Sequence, residues 1–173
     1  MKTRLPAFAI PAFAILVALT LAAGQGNARA ASAPKPVSAK KFDAMASAAL
    51  EAMKKRAAEL NISGVAVVSY AQGDTIQGWT SKMAVVGRMT DPKGSANGNN
   101  LLGIAYAKSA EMADTLQDRG TAKRLPMTGE FGWQGGVFFR GKTGAVIVAF
   151  SGGKSEDDVQ VSRAGLELLK PAF

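Results

Sequence analysis

Few residues in this chain can do chemistry, and their types narrow the field. The sequence has no His and no Cys. The commonest metal and haem ligands, the imidazole base and the thiolate nucleophile are therefore missing. Met83, Met89, Met112 and Met127 could each offer a soft thioether to iron, or fill gaps in a core, as unbranched methionines usually do. Tyr70 and Tyr106 are phenolate candidates under the same alternative. Trp79, Phe131 and Trp133 could stack on a planar ligand. Phe131 and Trp133 lie in a Gly-rich stretch that a packed core does not readily explain, so a ligand face and a subunit interface both account for them.

Two glycine pairs, Gly135-Gly136 and Gly152-Gly153, would let backbone amides approach an anionic group, or make a tight start and exit of strands. In Ser155-Glu156-Asp157-Asp158, a Ser cap with acids in the first turn suits a helix N-terminus; the same carboxylates could bind a hard cation or serve as acid and base. Ser151 before Gly152-Gly153 is not a nucleophile elbow and has no His to activate it. No Walker or dinucleotide fingerprint occurs.

The elements that must position these residues follow from periodicity. Lys2 and Arg4, an apolar run from Leu5 to Ala23 and Ala28-Arg29-Ala30 form a secretory signal with cleavage after Ala30, so the expected product is periplasmic or secreted, with no membrane attachment afterwards. Residues 31–39 are a flexible lead, and 40–173 a single domain. Net charge falls from +8 to +5 once Lys2, Arg4 and Arg29 leave. The basic residues are scattered and face no aromatic ladder, which argues against nucleic acid.

Lys40 to Leu60 reads as a helix with Phe42, Met45, Ala49, Met53, Ala57 and Leu60 along one face, stopped by Asn61 and Gly64. Val65 to Tyr70 is a strand, Thr75 to Trp79 its hairpin partner and Lys82 to Met89 a third strand. A loop over Thr90 to Asn100 precedes a second helix, Leu101 to Arg119, which carries Leu101, Ile104, Ala105, Lys108, Met112 and Leu116 on one face. A long connection, Gly120 to Gln134, leads to a hairpin of Gly136 to Arg140 and Ala145 to Phe150, and Ser155 to Lys170 is the last helix. This order predicts an α+β fold, an antiparallel sheet of roughly five strands covered by helices in a profilin- or PAS-like sandwich.

The order of motifs resembles one family, the GlcG/HbpS/PduO C-terminal (haem-degrading domain, DUF336) group. The matches are Val65 to Tyr70 with Gly73, Ala107-Lys108-Ser109-Ala110, Gly135-Gly136-Val137, Gly144, Ser151-Gly152, Asp158 and Ala164-Gly165-Leu166. Phe138 stands where the family has proline, and Arg88-Met89-Thr90-Asp91 is what remains of its Arg-x-Asp-Gly-Ala segment. The resemblance implies a pocket beside the second helix and haem or a related tetrapyrrole as ligand. Lys108 would meet a carboxylate there, unless it snorkels at the helix edge. Trp133 or Phe131 would stack, Tyr106 or Met112 would be the nearby type of iron ligand, and Gly135 and Gly136 would line the approach. It also implies a homo-oligomer. Two functions follow: a secreted, non-catalytic binding module for a planar anionic molecule, or a cofactor-free accessory oligomer supporting a periplasmic oxidation pathway. An enzyme reading stands behind both, because haem degradation needs oxygen chemistry at iron and no ligand set for it is visible.

Overall fold

Two apolar runs without alternation, Val65-Ala66-Val67-Val68 and Ala145 to Phe150, behave as strands covered on both faces. In the computed structural model, which describes residues 35–119 and 124–173, they form the two central strands. β1 (Gly64–Gln72) and β6 (Gly144–Ser151) pair antiparallel and are buried almost end to end. β2 (Thr80–Val86) flanks β1, β5 (Gly136–Arg140) flanks β6, and the sheet order is β2-β1-β6-β5. Residues 1–34, where the signal and the start of the lead are expected, and residues 120–123 lie outside the described residues.

Side chains separate by strand parity. Ala66, Val68, Tyr70, Val146, Val148 and Phe150 meet α1 (Ala39–Glu59) and α3 (Ser155–Leu169) in the main core. On the other face, Val65 and Val67 pack on Leu101 and Ala105 of α2 (Leu101–Thr115), and Ile147 and Ala149 pack on its Met112. The α+β reading and the helical covering hold.

The sheet has four strands, with a separate ribbon of β3 (Thr90–Asp91) and β4 (Asn99–Asn100) inside the stretch expected to be a loop. Thr75–Trp79 is not a strand. β1 pairs instead with β2, in the register Gly64↔Val86 to Tyr70↔Thr80. The intervening segment swings off the sheet and places Ile76 against the cluster of Met112, Ile147 and Ala149.

Helix ends follow local chemistry. Ser38 caps α1, accepting from the Lys41 amide, and Asn100 caps α2, accepting from the Gly103 amide at 3.0 Å. Asn61, at φ +53°, closes α1 as expected. α2 stops at Thr115, short of Arg119, because Leu116 turns left-handed at φ +55°. Ser155 does not cap α3; that position is Lys154, whose side chain makes no capping bond. Among the described residues no helix is long and apolar enough to cross a membrane.

Candidate functional site

Lys108 lies mid-way along α2 and Asp158 in the first turn of α3, and the central strands bring them together. Lys108 Nζ donates to Asp158 Oδ2 at 2.8 Å and to the Phe150 carbonyl at 2.8 Å. Asp158 Oδ1 accepts from the Gly153 amide at 2.8 Å. Both residues are 3% exposed. Burial pulls the lysine's pKa down and the aspartate's up, while each partner's charge and hydrogen bond pull back toward the ionised pair. Asp158, expected as a helix-dipole acid, is thus also the anchor of the turn before its own helix.

Gly135 locks against this pair. Its φ is +132°, and a Cβ there would lie 2.3 Å from Lys108 Nζ and 2.7 Å from Asp158 Cβ. Its carbonyl accepts from Phe150 N and from Ser162 Oγ, each at 2.9 Å. Only glycine brings the chain so close. On the far side of the turn, Gly152, at φ +150°, comes within what would be 2.1 Å of the Ser63 carbonyl for a Cβ. The glycine pairs therefore serve close backbone packing around the ion pair.

Above the pair opens a groove of about 310 Å³, bounded by Leu101 and Ile104 of α2, by Trp133, and by the turn from Ser151 to Ser155. Trp133 stacks on Phe131 with centroids 5.2 Å apart and planes at 22°, and the two rings are 46% and 48% exposed. Lys154 on the rim is exposed, and Arg88 holds the turn by donating to the Gly152 carbonyl at 3.0 Å.

Of the residues expected at a site, the structure brings Lys108 and Trp133 to this groove, with Phe131 stacked on Trp133 and Gly135 packed against the ion pair. Lys108 forms its floor, with its ammonium already taken. Tyr106 and Met112 are elsewhere. The Tyr106 hydroxyl is 3.1 Å from Ser81 Oγ and its ring packs beside Val65 and Val67. Met112 is fully buried, and Gly136 packs so closely that a Cβ would lie 2.3 Å from Met112 Cε. Tyr70 is buried with its hydroxyl on the Thr143 carbonyl at 2.8 Å, and Met83 joins the cluster under α2; Met89 and Met127 are exposed. Among the described residues, no group of three or more His, Cys, Asp and Glu could hold a metal ion.

Two features escaped the sequence. Glu111 and Arg119 form a second buried ion pair, with both side chains 4% exposed. Arg124 grips both oxygens of Glu130 at 2.7 Å and also bonds Asp114 at 2.9 Å, while Glu130 accepts from the Met127 amide at 2.8 Å. These bonds fasten the segment that carries Phe131 and Trp133 onto α2. Acid–base pairs many residues apart leave no periodic signal. The second feature is a larger groove, about 740 Å³, between Thr75–Trp79 and the C-terminal half of α2. Its wall, Thr75–Trp79, reads in the sequence as a strand, which gives no sign of a groove.

Two solved structures share this architecture. One is described as the crystal structure of Klebsiella pneumoniae protein ORFY, family-model DUF336. It is 16% identical with a TM-score of 0.52, over 75% of this chain and 90% of that one. This chain has the DUF336 fold. The second is a PduOC:haem complex, 14% identical with a TM-score of 0.51, over 78% of this chain and 95% of that one. No protein-family model matches the sequence and no curated protein matches it. The motif resemblance is therefore borne out in the fold.

Proposed function

We propose that this protein is a secreted, non-catalytic binding module that takes a planar anionic molecule, haem or a related tetrapyrrole, in the groove over Lys108 and Asp158. The observation that carries this reading is half-exposed Trp133 at the groove's rim, backed by its stack on Phe131, on a segment held by Arg124 and Glu130. The fold shared with PduOC, whose structure is a haem complex, supports the choice of ligand.

The residues suit the ring of a tetrapyrrole better than its iron. The sequence has no His or Cys, and the groove's lining includes no Tyr or Met. The ligand is held by stacking on Trp133 and by a carboxylate contact to Lys154, since Lys108 is spent on Asp158. Stacking and one charge contact contribute about 1–2 kcal/mol each, which with partial burial gives an affinity in the micromolar range. Titration with haemin, followed by the Soret band and tryptophan quenching, tests this. Saturable binding should weaken several-fold in Trp133→Ala. Secretion is tested by the intact mass of exported protein, which should begin at Ala31.

A second reading is favoured by the run of exposed apolar side chains on one connection, Leu125, Met127, Phe131 and Trp133, which suits a subunit contact in a cofactor-free oligomer. If haemin does not bind and Trp133→Ala instead lowers the sedimentation coefficient, that reading replaces the first.

A further inference from the structure

The groove of about 740 Å³ takes no part in that reading, and its charge differs from that of the first groove, where Lys108 and Lys154 offset Asp91 and Asp158. Its walls are Ile76 and Trp79 from the β1–β2 connection and Ala110, Ala113 and Leu116 from the end of α2. Trp79 and Leu116 are exposed, 36% and 45%, and the two alanines leave a flat helical wall opposite the indole. Among the described residues, the charged ones lining it are Asp74 and Asp114, with no lysine or arginine. In a chain of net charge +8, this groove is locally negative. Arg124 reaches Asp114 but is held by both oxygens of Glu130, so those three groups together still carry one negative charge. Arg140, beyond Asp74, is engaged by the Gly73 carbonyl at 3.2 Å and the face of Phe138 at 5.5 Å.

We propose that this groove is a binding site for an organic cation with an apolar body, such as an arylalkylamine or a quaternary ammonium compound. The indole face attracts a cation through its quadrupole, the apolar walls take up the body, and Asp74 and Asp114 supply the countercharge. An anionic ligand of the kind assigned to the first groove is repelled here, so each site can be tested without the other.

The chain has two tryptophans, so Trp133→Phe leaves Trp79 as the only reporter. In that background, phenylbutylamine, phenylbutanol and phenylbutyrate compare a cation, a neutral molecule and an anion of the same size. Phenylbutylamine should quench Trp79 saturably and bind about tenfold tighter than phenylbutanol, with phenylbutyrate weaker still. Asp74→Asn combined with Asp114→Asn should bring amine and alcohol to within about twofold, and added salt should weaken only the amine. Calorimetry with Trp79→Ala, its fold checked by circular dichroism, should show the amine's binding lost. Equal binding of amine and alcohol in the parent protein, or no saturation by the amine, overturns the proposal.

Discussion

Lys108 stands where periodicity puts it, but its ammonium is engaged by a group that periodicity does not show. Its place on the α2 face with Ala105 and Met112 is legible in the sequence. Its partner, 50 positions away, is not, because Asp158 reads equally well as a first-turn acid. Removing either member leaves a buried charge alone, so Lys108→Met should destabilise the fold by about 3–5 kcal/mol in denaturant unfolding. The double variant with Asp158→Leu should lose much less than the sum of the singles. Additive losses would mean that the two groups do not interact as described. A second residue-scale prediction concerns Glu130. The Arg124 guanidinium holds its carboxyl from 4.5 down to about 2. Because the folded value lies below the unfolded one, the carboxylate's contribution is fully present above about 4.5 and is lost as pH falls through about 2. A carboxyl-carbon NMR titration should place Glu130 well below its exposed neighbours, with tryptophan fluorescence changing over the same low window. Glu130→Gln should abolish that change. A midpoint near 4.5 for Glu130 would contradict the clamp.

At the scale of elements, legibility followed burial. β1, β6, α1 and α3 announce themselves because their apolar residues meet a core directly: continuous runs for strands buried on both faces, and three-to-four spacing for the helices. Thr75–Trp79 failed the same test because its apolar residues, Ile76 and Trp79, pack against a helix and a groove and not within the sheet. The β3–β4 ribbon was illegible because two-residue strands carry no pattern. The glycine pairs were visible, but the sequence left their role open between anion approach and close packing. In the structure, Gly135 presses on the ion pair. Gly135→Ala should therefore cost about 2–4 kcal/mol, from backbone strain at positive φ and from displacement of the lysine. The added cost should shrink in a Lys108→Ala background, where the crowded Nζ is gone. An unchanged cost there would assign the effect to the backbone alone.

Across the described residues, three α-helices and a four-stranded sheet build a scaffold with one groove along the N-terminal half of α2 and another along its C-terminal half. One is polar and lies over a buried ion pair; the other is apolar and acidic. The fold was recoverable from motif order because that order reflects which strands sit centrally and which turns need glycine. The ligand was not, since it depends on which side chains remain unspent once the chain has folded. Lys108 and Asp158 satisfy each other, Tyr106 and Met112 pack away, and Trp133, stacked on Phe131, stays half exposed. On the proposed function, the polar groove holds a planar anion by its face and its charge, without coordinating iron. Parallel titrations with haemin and metal-free protoporphyrin decide between holding the ring and coordinating its iron. Micromolar dissociation constants within about threefold of each other are expected, both weakened by Trp133→Ala. Haemin binding more than about tenfold tighter than the metal-free ring would reveal an iron ligand and contradict the claim, as would failure of both to saturate.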